Sequence, residues 1–233
     1  VIIKINIFDK EQTVFITHNN QNIKTEKVRL LTTPKFDNGT FGERVIDMCK
    51  RYNASVCING GGFSNGLDNG SDIPMGYVID DGAVVWPTER TNEIIGNIIG
   101  LTDEGKLKLM SNTTGDDAVN AGIKYGIEFG PFLIINGKPA TIVGNGGMGV
   151  ANRTVIAQRK DGIVLFLVID GRGANDSKGI DMNGLIKILT RYKAYNAANL
   201  DGGGSSTLVI NGELINNPAG GAKKTNGRYV VTG

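Results

Sequence analysis

The chain has 233 residues, a formal charge of +2 and 40% hydrophobic residues, enough for one large domain or two small ones. No stretch is long and apolar enough to span a membrane, and a near-neutral charge without a Lys/Arg run argues against nucleic-acid binding by bulk electrostatics. Thirty-four glycines against 6% aromatic residues point to many tight turns rather than long helices.

In chain order, His18, the single histidine, stands in a polar, turn-like context. One histidine excludes His-rich zinc sites and makes a Ser-His-Asp triad improbable. Val28–Thr32 is the first predicted strand. Phe41–Tyr52 carries Phe41, Val45, Ile46, Met48 and Cys49 on one helical face. Ser55–Ile58 reads as a strand containing Cys57. Two cysteines do not make a disulfide scaffold, so Cys49 and Cys57 are read as small buried apolar residues. Asn59-Gly60-Gly61-Gly62-Phe63 then ends the strand at an amide followed by three glycines, a bend where backbone can approach a ligand or an ordinary surface loop. Asp68-Asn69-Gly70-Ser71-Asp72 is oxygen-rich, yet Ile79 stands where an EF-hand needs its glutamate. An irregular calcium site is kept as an open alternative there.

Further strands are expected at Met75–Ile79, Phe132–Ile135, Val155–Ala157, Ile163–Ile169 and Thr207–Ile210, the last three as nearly continuous apolar runs buried on both faces. Asp81-Gly82, Asn136-Gly137, Asp161-Gly162 and Asn211-Gly212 each separate two such runs, which predicts four β-hairpins. Asp116–Ala121 suits a short helix. Asp181–Tyr192 repeats Met182, Leu185, Ile186, Ile188 and Leu189 at helical spacing, with Asp181 as N-terminal cap or first-turn acid. Gly144–Gly149 matches G-x-G-x-x-G, but a strand pattern follows instead of the helix a dinucleotide site requires. There is no linker and no composition break. The expectation is one domain over residues 1–233, α+β, with a mixed, largely antiparallel twisted sheet, several hairpins and two or three packed helices.

Four segments carry chemistry. Arg153-Thr154 opens an apolar strand, and arginine suits bidentate contact with carboxylate or phosphate; a solvent-facing arginine at a strand start is the plainer alternative. Asp170-Gly171-Arg172 closes the most apolar strand, a costly place for charges unless they are paired with each other or with a ligand. Glu128, before Gly130-Pro131, is a third carboxylate. Asn199-Leu200-Asp201-Gly202-Gly203-Gly204-Ser205-Ser206 joins a helix to a strand with a carboxylate, an amide, two hydroxyls and bare N–H groups, which can form an anion-binding nest or serve as a flexible connection.

The order of "CINGGGF", "IPMGYVIDDG", "FGPFLIINGK", "NRTVIAQ", "LVIDGRG", "AANLDGGGSSTLVINGE" and "GRYVVTG" resembles the phosphodiester glycosidase family, the domain type of the mannose-6-phosphate uncovering enzyme. The resemblance runs from about Val56 to the C-terminus. It implies hydrolysis of a sugar-1-phosphodiester, such as an N-acetylglucosamine-1-phosphodiester, at the sugar–oxygen bond. The motif positions carry to Asn59, Gly61 and Phe63, to Arg153 and Thr154, to Asp170 and Arg172, to Asn199, Asp201, Gly203, Gly204 and Ser205, and more weakly to Arg228. The sequence departs from the family in placing glycine before Phe63, where many members have a larger residue, and in lacking the cysteine-rich extensions of the mammalian proteins. The second departure suggests a microbial or phage origin.

A phosphate monoester is already a good leaving group, so charge stabilisation by arginine and backbone N–H groups matters more than strong acid help. The expected roles are Asp201 or Asp170 as nucleophile or base, with Glu128 at lower odds. Arg153 and Arg172 would hold phosphate, and Asn59, Asn199 and Ser205 would orient oxygens. No cofactor is required and no metal ligand set is assigned. The expected partner is a phosphorylated glycan or wall phosphopolymer, not nucleic acid and not a membrane, met outside the cell, at its surface or on a virion. No signal peptide precedes Val1, as expected for a processed chain or a piece of a longer one. A non-catalytic glycan-binding or structural module is the alternative, weakened by a single Trp (Trp86) and few Tyr. A metal-dependent phosphodiesterase is disfavoured by the scarcity of clustered His/Asp ligands.

Overall fold

A computed structural model of the protein describes residues 2–7, 10–19, 28–37, 39, 41–64, 72–220 and 226–233, with backbone alone for those before residue 28. Every strand pairing among them is antiparallel. A seven-stranded sheet has the order β1 (Ile2–Ile7), β2 (Lys10–Asn19), β13 (Val164–Ile169), β12 (Arg153–Arg159), β14 (Ala194–Asn199), β10 (Phe132–Ile135) and β11 (Lys138–Pro139). A five-stranded sheet has the order β6 (Ala83–Trp86), β5 (Val78–Asp80), β9 (Ile123–Glu128), β7 (Gly96–Thr102) and β8 (Leu107–Thr113). Two small sheets complete the set. One joins β16 (Glu213–Leu214), β15 (Leu208–Ile210) and β4 (Val56–Ile58); the other pairs β17 (Tyr229–Val230) with β3 (Glu43–Arg44).

The layers follow from the apolar faces. Helix α3 (Met182–Arg191) lays Leu185, Ile188 and Leu189 on Val155, Ala157 and Leu167 of the seven-stranded sheet. The other face of that sheet, with Ile156, Val168 and Ala198, packs on Val78, Ile99 and Ile127 of the five-stranded sheet. Helix α2 (Gly115–Asn120) closes the outer side through Ala118 against Ile79 and Ile98. Cover on both faces explains why β12 and β13 are continuous apolar runs. Helix α1 (Val45–Arg51) packs on β4 and β15 with Val45, Met48, Cys57 and Val209.

All four predicted hairpins form. Three carry positive φ at both turn residues: Asp81 and Gly82, Asn136 and Gly137, Asn211 and Gly212, the type I′ signature. At the fourth only Gly162 is left-handed, with φ 90°, and Arg159 N–H bonds to the Ile163 carbonyl, a longer loop closed by a glycine bulge. Asp181 caps α3, its Oδ1 accepting from Gly184 N–H at 2.7 Å. Thr114 caps α2, accepting from Asp117 N–H at 3.0 Å.

Several expectations are corrected. Val28–Thr32 is not a strand; it makes one isolated bridge, Thr32 to Thr232, while Leu31 exchanges backbone bonds with Gly233. The predicted Met75–Ile79 strand starts only at Val78, because Met75 turns outward and is exposed. His18 lies in β2 rather than in a turn. The first helix starts at Val45 because Glu43 and Arg44 pair with β17. Cys49 and Cys57 are not free apolar residues: they form a disulfide with Cα atoms 6.0 Å apart. Nothing local in the sequence announces that pairing, since packing α1 on β4 is what brings the two together. Most of Asp68–Asp72 lies outside the described residues.

Candidate functional site

Antiparallel pairing sets the site. The start of β12 lies beside the end of β13 through Arg153 opposite Ile169, and beside the end of β14 through Val155 opposite Asn199. Thr154, Asp170 and the 199–206 loop therefore meet on one sheet edge, with Asn59 arriving from β4. Asn59 is 1% exposed and ties these pieces together. Its Nδ2 donates to the Asp201 carbonyl at 2.7 Å, and its Oδ1 accepts from Thr154 Oγ1 at 2.7 Å and from Thr207 N–H at 3.1 Å. Asp201 N–H also donates to the Gly60 carbonyl at 3.0 Å. Asn59 and Thr154 are thus bonded to each other and to the Asp201 loop, positions from which the sequence suggested contact with substrate oxygens.

Arginines lie near the three glycines after Asp201, with the guanidinium as nearest group at one of them. A Cβ placed on Gly203 would lie 3.1 Å from Arg172 Nη1. One on Gly202 would meet the Asn152 carbonyl at 2.8 Å, with Arg153 Nη1 at 3.7 Å, and one on Gly204 the Ala219 carbonyl at 3.6 Å, with the Arg228 Cδ methylene at 4.0 Å. Gly203 also has φ +61°, a conformation that glycine adopts without a Cβ penalty. Arg153 is buried. Its Nε donates to the Ile180 carbonyl at 3.3 Å, Nη1 lies 3.5 Å from Met148 Sδ, and Nη2 donates to the Gly149 carbonyl. Burial holds its pKa below the usual arginine value, reinforced by the Arg172 charge and opposed by Asp181. Arg172 is exposed with φ 53°, and Arg228 stacks 4.7 Å over the Phe63 ring.

The three carboxylates differ in their surroundings. Asp170 is fully buried. Oδ1 accepts from Asn216 Nδ2 at 3.0 Å and both oxygens accept from Asn217 N–H, at 3.2 and 3.1 Å. These bonds make it an anchor for the 216–217 segment. Asp201 keeps partial exposure, and Oδ1 accepts from Gly202 N–H at 2.9 Å. Desolvation pushes its pKa up, while Ser205, the Gly202 N–H and Arg228 pull it down. Ser205 Oγ lies beside that carboxyl, yet its geometry falls short of a hydrogen bond. Glu128 occupies a slot between two glycines: a Cβ on Gly76 would fall 2.1 Å from Oε2, and one on Gly96 2.1 Å from Oε1. Desolvation raises its pKa, and Tyr77 N–H, 3.4 Å from Oε2, opposes this. The main chain of Glu128 backs the first glycine loop, with its carbonyl 3.2 Å from where a Gly61 Cβ would lie.

Four of the five buried side-chain oxygens without a hydrogen-bond partner among the described residues gather in the same loop, Asn199 Oδ1, Ser205 Oγ, Ser206 Oγ and Thr207 Oγ1; the fifth is Asp80 Oδ1. Asn199 meanwhile donates from Nδ2 to the Gly130 carbonyl at 3.0 Å. Such groups are rare in folded proteins and mark places where a ligand or solvent completes the bonding. Sequence reasoning missed Asn152, whose carbonyl accepts from Gly203 N–H at 3.0 Å. It also missed Asn216, and Thr232, whose Oγ1 accepts from Gly61 N–H at 2.9 Å. Thr232 follows two valines, and that isolation was its signal; Asn152 and Asn216 sit beside other polar residues and carried none. No cluster of three or more His, Cys, Asp or Glu side chains suited to a metal ion occurs among the described residues.

The phosphodiester glycosidase family model matches residues 52–233. The chain is 29% identical over 197 residues to the SPbeta prophage-derived uncharacterized protein YomE of Bacillus subtilis (strain 168), an alignment covering 82% of this chain and 30% of that protein. It is 34% identical over 70 residues to N-acetylglucosamine-1-phosphodiester alpha-N-acetylglucosaminidase of Bos taurus, covering 30% of this chain and 13% of that enzyme. The chain therefore spans under a third of the length of either. The zebrafish N-acetylglucosamine-1-phosphodiester alpha-N-acetylglucosaminidase catalytic domain, auto-inhibited by its pro-peptide, superposes with TM-score 0.78 at 22% identity, over 100% of this chain and 80% of that one. That likeness shows a shared fold.

Proposed function

The chain belongs to the phosphodiester glycosidase family, and from that membership we propose that residues 1–233 act as one domain that hydrolyses sugar-1-phosphodiesters to free sugar and a phosphomonoester. The observation that carries the reading is the placement of the Asp201 carboxyl at the head of three glycines, with guanidinium nitrogens of Arg172 and Arg153 3.1 and 3.7 Å from where Cβ atoms of Gly203 and Gly202 would lie. The arginines hold the phosphate and take up the charge that develops as it leaves. Asp201 serves as base or nucleophile at the sugar carbon, because it alone of the two aspartates keeps access to solvent. Asp170 holds the 216–217 segment in place. Glu128, kept protonated to higher pH by its slot, supplies a proton where one is needed.

An N-acetylglucosamine phosphodiester or a phosphodiester-linked wall polymer fits the activity for which the bovine relative is named and the prophage origin of YomE. That origin and the disulfide support work outside the cytoplasm.

The test is product analysis with UDP-GlcNAc and a panel of wall phosphopolymers. Free sugar plus phosphomonoester is expected. Release of sugar-1-phosphate would mean cleavage at phosphorus and sink the reading, and binding without release would leave a glycan-binding module. Asp201→Asn should abolish turnover with the fold intact; wild-type rates would overturn its role.

A further inference from the structure

Five of the nine arginines, Arg29, Arg44, Arg51, Arg90 and Arg159, pair with a carboxylate. Arg153 and Arg172 have no such pair among the described residues. Arg153 is 5% exposed, and it donates to two carbonyls and a thioether, all neutral. A buried cation with neutral acceptors carries a desolvation cost that an anion offsets. The second guanidinium adds repulsion, and Asp181 relieves only part of it.

Hydrolysis changes the charge of the group held there. The sugar C–O bond breaks, the oxygen of water bonds to the sugar carbon and gives up one proton through the carboxylate base to solvent, and the phosphate departs with the bonding electron pair. The diester carries one negative charge. The monoester carries close to two at neutral pH, since its second pKa is about 6.

We propose that the surface formed by Arg153, Arg172 and Arg228 over Gly202–Gly204 is a dianion site. The phosphomonoester product then binds it more tightly than the diester substrate does, leaves after the sugar, and inhibits the enzyme. This rests on the glycosidase reading and adds to it a preference for the doubly charged product and an order of release.

The test titrates the protein calorimetrically with glycerol 1-phosphate and with sulfate at pH 5 and pH 7. The monoester passes from about one tenth to about nine tenths dianion over that range, so its affinity relative to sulfate should rise roughly tenfold. Sulfate is dianionic throughout and corrects for any change in the protein's own charge over that range. Arg172→Gln should weaken both anions at least about fivefold, with folding checked by circular dichroism. An unchanged monoester-to-sulfate ratio, or no binding of either anion at millimolar concentration, overturns the proposal. Sugar release that the monoester does not inhibit also overturns it, while leaving the glycosidase reading intact. Tight monoester binding without sugar release from any phosphodiester overturns the glycosidase reading and the order of release with it, and leaves the dianion preference alone standing.

Discussion

Replacing Asn59 by alanine tests whether the site depends on the protein's own wiring. Three groups lose their partner: Thr154 Oγ1, Thr207 N–H and the Asp201 carbonyl. Thr154 and Thr207 are 0% and 1% exposed, so water does not readily replace the amide. A buried polar group left unsatisfied costs about 1–3 kcal/mol, and three together give about 4 kcal/mol. That is a large share of a typical total of about 5–15 kcal/mol. Urea unfolding followed by circular dichroism should show a lower midpoint with unchanged slope. A coupling experiment sharpens the point. Thr154→Val removes one orphan in advance, so Asn59→Ala should cost about 1 kcal/mol less in that background than in the wild type. A loss below about 1 kcal/mol in the single variant, or additivity within about 0.5 kcal/mol, would refute the wiring and return Asn59 to a role in contacting substrate.

Other outcomes follow from the carboxylates and the disulfide. Gly96→Ala drives a methyl into the Glu128 carboxyl and should cost about 1–3 kcal/mol; Glu128→Ala in the same chain should recover most of it in thermal unfolding, and simple additivity would remove the slot argument. Asp201→Asn should raise stability in a pH-dependent way. The native pKa is raised above the unfolded value, so the native state binds more protons and wild-type stability falls as pH climbs from about 4 to the raised native pKa. The advantage of the variant should grow across that window and then level off; a pH-independent difference in denaturation midpoints would contradict the desolvated carboxyl. Replacing Cys49 and Cys57 together by alanine opens a loop with a sequence separation of 8 and should cost about 2.5 kcal/mol by chain entropy, read as a lower urea midpoint; an unchanged midpoint would mean the crosslink adds nothing.

Local chemistry made much of the fold readable. Asn-Gly and Asp-Gly turns announced the hairpins because positive φ is a property of those two residues. The spacing of Met182, Leu185 and Leu189 announced α3 because one face of a helix meets one core. Strand β14 was missed because its sequence, Ala-Tyr-Asn-Ala-Ala-Asn, has low β-propensity; small residues suit a strand wedged between β12 and β10 under a helix. The glycine loop after Asp201 was visible as a motif, but its pairing with arginines was not. Arg153, Arg172 and Arg228 come from three distant segments, and only register brings them to consecutive glycines. The same holds for Glu128, whose walls are glycines 52 and 32 positions away by the numbering.

The disulfide has a consequence for where such a chain can be used. Cys57 is two residues before Asn59, so the bond that fastens β4 to α1 also steadies the residue on which the Asp201 loop hangs. Where cellular thiols keep cysteines reduced, that tether is missing and the loop loses one of its supports. If the proposed hydrolysis takes place outside the cell, the same polypeptide would be a weaker catalyst before it leaves, a safeguard for any host whose own envelope contains sugar phosphodiesters.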